Sequence, residues 1–404
     1  MFRKLRCLFL SIIVTILPVQ QLWSEPSAAV DGVVKANNTF ALELYGRLAK
    51  RPGNLFFSPF SVNAACAMTC AGARGQTAVQ MANTLHFPAN VAAIHAGFGA
   101  LLKELNESNA SGCQLLLANS LWGQRDFRLL ESFQQVCRDQ YGAPLHLVDF
   151  QEAPEAARQQ INSWVASQTQ GRIEEMAPPG LVHRDTVLVL LNAIYFMGSW
   201  DAKFPRSETR NRPFHLDAEK TVMVPIMDRP GPFPWAETET LKVLEQPYLS
   251  NQLSMVIFLP KQVNGLAELE RTLTLEQMEK LRRMCLSQED VTYVYLPRFK
   301  CASTIDLLDV LKAMGMTDAF SPDQADFSGL TGKKGLWIEA AIHKACVEVD
   351  EEGTIAAAAT YKGIPKGSVG HFEANHPFLF LIRHNPTGAI LFMGRVTNPV
   401  AEAH

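Results

Sequence analysis

Many side chains in this 404-residue chain could do chemistry, but few stand at the spacing that chemistry needs. None of its ten histidines falls in a His-Glu-x-x-His pattern, which would set two zinc ligands and a general base on one helix face. His371 and His376 fit no common ligand spacing. Ser368 lies in Gly367-Ser368-Val369-Gly370, which lacks the glycine spacing of a nucleophile elbow. Thr331-Gly332-Lys333-Lys334 has the lysine of a phosphate loop but not its glycines, and reads as a surface turn. Cys66 and Cys70 share a helix face at i, i+4 and read as small buried apolar residues before they read as metal ligands. No catalytic residue, metal or cofactor is therefore assigned. A triad assembled in space is the route to catalysis that motifs do not exclude.

One segment stands apart. A strand, Ala345 to Val349, runs into Asp350-Glu351-Glu352-Gly353-Thr354 and then Ala356 to Ala359. About seventeen residues without apolar periodicity follow. The alanines alone would favour a helix capped by Thr354. Yet a long irregular stretch inside a compact domain is usually functional. Small side chains with a glycine at the turn suit a chain that swings at Gly353 and slides between two strands.

The rest of the sequence supplies the elements that must hold such a segment. Helical spacing covers Asn37 to Lys50, Thr77 to Leu85, Val91 to Leu105, Leu130 to Tyr141 and Pro154 to Thr169. Ser58-Pro59 reads as an N-cap with proline at the first position, opening a helix to Gly72. The second half is mostly strand: Thr186 to Phe196 (apolar enough for burial on both faces), Thr221 to Met227, Lys242 to Tyr248, Leu253 to Leu259 and Asp290 to Phe299. Helices return at Leu275 to Cys285 and Thr304 to Met314, and strands at Leu336 to Val349, Phe378 to Arg383 and Ile390 to Val396. Strands and helices do not alternate regularly, and no linker or repeat divides them. The expected class is α+β in one domain, 30–400.

Composition bounds the function. A chain 47% hydrophobic and 19% charged can bury a large core, and a net charge of -3 gives no footprint for nucleic acid. Arg3, Lys4 and Arg6 precede an apolar run, Cys7 to Val19, that is short for a bilayer span but suits the h-region of a signal peptide. Residues 1–24 read as that signal, with cleavage between Ser24 and Ala29. The expected destination is secreted and extracellular, or periplasmic in a bacterium, with no membrane contact afterwards. Seven further cysteines, an odd number widely scattered, argue against a disulfide scaffold. Asn37, Asn106 and Asn109 each begin a glycosylation sequon.

The segment Lys344-Ala345-Cys346-Val347-Glu348-Val349-Asp350-Glu351-Glu352-Gly353-Thr354-Ile355-Ala356-Ala357-Ala358-Ala359-Thr360 resembles the strand and hinge of the serpin family in its inhibitory form. Asn54 to Ser61, Asn192 to Trp200, Ala325 to Gly329, His376-Pro377-Phe378 and Leu391 to Val396 resemble further family blocks, in order across the mature chain. The resemblance implies a helical cluster, three β-sheets and an exposed reactive-centre loop, here about 351–370. It implies a secreted, monomeric suicide-substrate inhibitor of serine proteases and not an enzyme. The protease forms an acyl-enzyme at a bait bond, and the cleaved loop then inserts as a new strand into the main sheet. Glu351, Glu352, Gly353, Thr354 and Ala356 to Ala359 match the hinge. Ser58, Ser61, Asn192 and His343 match the shutter, where strands part, and Trp200, Arg298 and Glu351 match the breach, with an ion pair expected between the last two.

Strand alternation turns Thr354, Ala356, Ala358 and Thr360 inward after insertion, and all are small. Lys362 continues that set, and burying an unpaired ammonium is costly. Counting from the hinge puts the bait bond at Gly367-Ser368, while counting back from Pro377 puts it at Lys366-Gly367. Lys366 is favoured, because its side chain fills the acid-bottomed pocket of a trypsin-like protease. The other family reading is a non-inhibitory carrier or chaperone, to which Ile355 (often acidic in the family) and Lys362 lean.

Overall fold

The computed structural model describes residues 27–88, 90–108, 113–143, 145–286, 292–353 and 370–401. The leader, the sequon at Asn109, and Thr354, Ala356 to Ala359, Thr360, Lys362, Lys366, Gly367 and Ser368 lie outside them. Among the described residues ten α-helices surround three sheets.

The helices are α1 (Ala28–Leu48), α2 (Pro59–Cys70), α3 (Gly75–Thr84), α4 (Val91–Ser108), α5 (Glu131–Val136), α6 (Pro154–Gln168), α7 (Leu266–Thr272), α8 (Leu275–Leu286), α9 (Leu307–Ala313) and α10 (Ser328–Thr331). Helix α1 starts earlier than its apolar spacing suggests, because Ser27 caps it through the Val30 N–H. Every residue of α2 is buried, which suits a helix apolar all round, and Ser58 caps it through the Ser61 N–H.

The central layer is a five-stranded sheet in the order β11 (Phe299–Asp306), β12 (Ala340–Val349), β4 (Leu188–Gly198), β2 (Cys113–Gln124) and β3 (Leu145–Val148). Helix α6 covers one face of it, packing Ala157, Ile161 and Val165 against Ala118, Val189, Leu191 and Ala193. A six-stranded sheet runs β1 (Leu55–Phe57), β15 (Ile390–Val396), β14 (Phe378–His384), β9 (Leu253–Pro260), β8 (Leu241–Pro247) and β7 (Trp235–Glu237). A four-stranded sheet completes the set as β13 (Gly370–Glu373), β10 (Thr292–Pro297), β6 (Thr221–Gly231) and β5 (Arg210–His215).

The α+β class agrees with the reading of the sequence, but several bounds do not. Residues 299–306 form β11 instead of opening a helix at Thr304; the helix waits for Asp306, whose carboxylate accepts from the Leu308 N–H. The strand expected to Phe299 stops at Pro297. The long central strand β2 was not expected. Its Leu115-Leu116-Leu117 run and burial along most of its length hide the two-residue period. The Asn37 sequon cannot carry a glycan in this fold: Asn37 is fully buried, and its amide donates to the Ile390 carbonyl at 2.9 Å.

Candidate functional site

The site is the seam between β4 and β12. These strands pair in parallel from Val189–Ala340 to Tyr195–Cys346, and no further rung joins them among the described residues. Beyond it β4 runs on to Gly198, while β12 runs to Val349 and then turns back. The turn is closed by Asp350 and Gly353, each N–H donating to the other's carbonyl at 3.1 and 3.2 Å. Asp350 also accepts the Glu352 N–H at 2.9 Å.

Gly353 has φ +111°, and an added Cβ would fall 2.3 Å from the Gly198 carbonyl oxygen. Only glycine combines that left-handed backbone with so close an approach. The turn is then stitched to the chain above β4. Trp200 N–H donates to the Glu352 carbonyl at 3.1 Å, and Phe204 N–H to the Glu351 carbonyl at 3.0 Å. The Trp200 indole, fully buried and stacked on Tyr248 at 4.5 Å, donates to the Asp350 carbonyl at 3.0 Å.

Arg298 and Glu351 meet as the sequence suggested, with Arg298 Nε donating to Glu351 Oε1 at 2.8 Å. Thr209 Oγ1 donates to the same oxygen, a contact that sequence reasoning missed. Glu351 is 1% exposed, while the Arg298 side chain is 41% exposed. Burial by itself pushes the Glu351 carboxyl up, but the Arg298 and Thr209 hydrogen bonds outweigh it and hold it below its usual range. Its neighbour Glu352 faces Lys203 Nζ at 3.4 Å and Arg206 Nε at 3.6 Å.

Lower in the seam lies a polar row. Asn119 of β2, Asn192 of β4 and His343 of β12 stand side by side in register across three strands. Below them, the first turn of α2 offers Ser58 and Ser61. Ser58 N–H donates to His343 Nε2 at 3.0 Å, so that nitrogen is the acceptor and the proton sits on Nδ1, facing Asn192 Oδ1. Asn192 Nδ2 donates to Ser61 Oγ at 2.6 Å, Ser61 Oγ donates to Asn119 Oδ1 at 3.0 Å, and Ser58 Oγ donates to the Leu391 carbonyl at 2.6 Å. His343 is fully buried, and its pKa is pushed down to about 3 by desolvation. Asn119 was missed, although a polar residue inside the Leu115–Leu121 run carried the same signal that singled out Asn192.

No metal-sized cluster of His, Cys, Asp and Glu occurs among the described residues. Cys66 and Cys70 are buried thiols pushed up to about 12 and 11, chiefly by burial, as apolar packing residues would be.

Residues 35–399 match the family model described as Serpin (serine protease inhibitor). Leukocyte elastase inhibitor A of Rattus norvegicus is 44% identical, covering 90% of this chain and 98% of its own. Leukocyte elastase inhibitor of Homo sapiens is 42% identical over the same shares. Among solved structures, uncleaved ovalbumin superposes with a TM-score of 0.84 at 32% identity, covering 91% of this chain and 100% of its own. Maspin gives 0.85 at 29% identity, covering 92% and 100%.

Two measurements check the site. Glu351→Lys sets a cation against Arg298 and should weaken the native form by about 1–3 kcal/mol, a fall in Tm of roughly 1–4 °C. It should also populate polymer or loop-inserted forms on mild heating, read on native gels; wild-type melting and mobility would remove Glu351 from this role. The second concerns His343. Between pH 6.5 and about 3 the unfolded chain binds a proton at His343 that the folded chain refuses, so stability falls with pH there. His343 alone should lower urea stability by about 2 kcal/mol between pH 7 and pH 5. His384, pushed down to about 4 by burial and by Arg383, adds the same sign. His343→Gln should flatten its share of the slope.

Proposed function

The chain belongs to the serpin family and is a protease inhibitor, not an enzyme, and we propose that it traps serine proteases by inserting its cleaved loop between β4 and β12. The observation that carries this reading is the seam that stops at Tyr195–Cys346 beneath a glycine turn. A strand entering from Gly353 runs antiparallel to both neighbours. It would replace one parallel ladder by two antiparallel ones, which pair somewhat better per residue. Extending the Asp350–Gly353 bridge downward sets Thr354 opposite Val349, Ala356 opposite Val347 and Ala358 opposite Ala345. All three β12 residues are buried, so the incoming side chains must be small, and they are. Lys362 falls opposite the fully buried Ala341, where an ammonium is costly.

The partner is proposed to be a trypsin-like serine protease held as a covalent acyl-enzyme at Lys366-Gly367, with the inhibitor a monomer and secreted under its leader. The relatives named for leukocyte elastase support a second target class. A cut at Gly367-Ser368 would present a small primary residue to the small pocket of an elastase-like enzyme.

Mixing the chain with trypsin and with pancreatic elastase tests both. An SDS-resistant complex should form, and mass spectrometry of the released C-terminal peptide should place the cut after Lys366 or after Gly367. Thr354→Arg should still be cleaved but give at least tenfold less complex, since a guanidinium cannot follow Val349 into the sheet. Lys362→Ala should raise the trapped fraction. Cleavage without complex or thermal stabilisation in the unaltered chain would instead assign the non-inhibitory role.

A further inference from the structure

The outer face of the four-stranded sheet carries a strip of stacked side chains that the trapping machinery does not use. Tyr293 and Tyr295 of β10 stack on one another at 6.5 Å between centroids. The His371 ring of β13 stacks on Tyr293 at 5.5 Å, and the Arg212 guanidinium of β5 lies 4.5 Å over Tyr295. Arg212 is held there by Asp228 of β6 at 3.0 Å. The strip therefore crosses all four strands. The alternate residues of β10, Val294 and Leu296, are fully buried, which turns the two tyrosines outward by strand alternation. His371 and Glu373 are exposed, and both tyrosines are half-buried.

We propose that this strip is a docking surface for the target protease, separate from the bait bond, and that it sets how fast the protease is captured. The inference rests on the inhibitory reading above. The occupant follows from chain length. Gly370, where β13 begins, is four residue steps from Lys366, and four steps span at most about 14 Å. His371 pairs directly with Tyr293, and Glu373 with Tyr295, so the strip begins on β13 itself and its tyrosines lie one strand, about 5 Å, further. A protease domain of roughly 230 residues has a radius of gyration of about 17 Å. A protease whose catalytic serine sits on the Lys366 or Gly367 carbonyl is therefore large enough to reach β13 and β10.

Aromatic rings and arginine, pre-stacked and poor in rotamer freedom, are the residue types that dominate protein interfaces. The phenol hydroxyls and the imidazole can each donate and accept, and the guanidinium adds donors, so the strip can pair with the mixed polar groups of a protein surface. Contact made before cleavage raises capture without changing what happens after it. The strip should thus act on the association rate and leave the split between trapping and plain hydrolysis alone.

The test is the second-order rate of inhibition of trypsin by the Tyr293→Ala/Tyr295→Ala variant. We expect association at least fivefold slower, with the stoichiometry of inhibition and the melting temperature as in the unaltered chain. Equal rates would overturn the inference alone, whereas no complex from the unaltered chain would remove the inhibitory reading and the inference with it. Should the double variant melt early, the unaltered chain serves. Hydroxyl-radical footprinting beside trypsin whose catalytic serine is replaced by alanine should protect Tyr293 and Tyr295. Unchanged labelling of both would overturn the proposal.

Discussion

The fold turns on a parallel strand pair that is not completed. The β4–β12 ladder holds seven paired positions and then ends, although both strands continue past Tyr195 and Cys346. A sheet edge left open inside a protein is usually a liability, because unpaired backbone groups invite another strand. Here the opening is roofed by the Asp350–Gly353 turn, by Trp200 beneath it and by the Arg298–Glu351 pair beside it. Each of these contacts holds the roof down without filling the gap. Together they cover the point at which the β4–β12 ladder stops.

The polar row below plays against this. An apolar seam would close wherever side chains fit, whereas Asn119, Asn192 and His343 hydrogen-bond well only in one register. A one-residue slip of β12 would carry His343 to the opposite face and strand an unpaired imidazole in the core. The row's partners, Ser58 and Ser61, come from the first turn of α2, where N–H groups lack helical acceptors. The helix start thus serves as part of the sheet's fastening, and that is why a cap residue and a seam residue belong to one network.

Much of this was legible in the sequence because its signals are local. Ser58-Pro59 announces a helix start, Thr186 to Phe196 a strand buried on both faces, and Gly353 between acidic residues and alanines a turn before small side chains. What stayed hidden depends on pairing at a distance. β2 has no clean alternation, so the strand went unplaced, and Asn119 was missed with it although it interrupts an apolar run. Thr209 is invisible in sequence, because its function comes only from lying against a glutamate 142 positions away. The same limit hid the strip on the four-stranded sheet. Tyr293, His371 and Arg212 belong to three separate strands, and nothing in their spacing says that the strands are neighbours.

The register of the Asp350–Gly353 bridge has a last consequence. In the inserted form proposed above, continuing that register would bring Thr360 level with His343. Parting β4 from β12 takes the imidazole Nδ1–H away from Asn192, leaving a donor on one lip of the cleft and an amide oxygen on the other. A threonine hydroxyl both accepts and donates. At that level it would accept a hydrogen bond from His343 Nδ1–H and donate one to Asn192 Oδ1. The opened sheet would be mended by a single two-handed group, with the one chemical demand of the gap met by the piece that fills it.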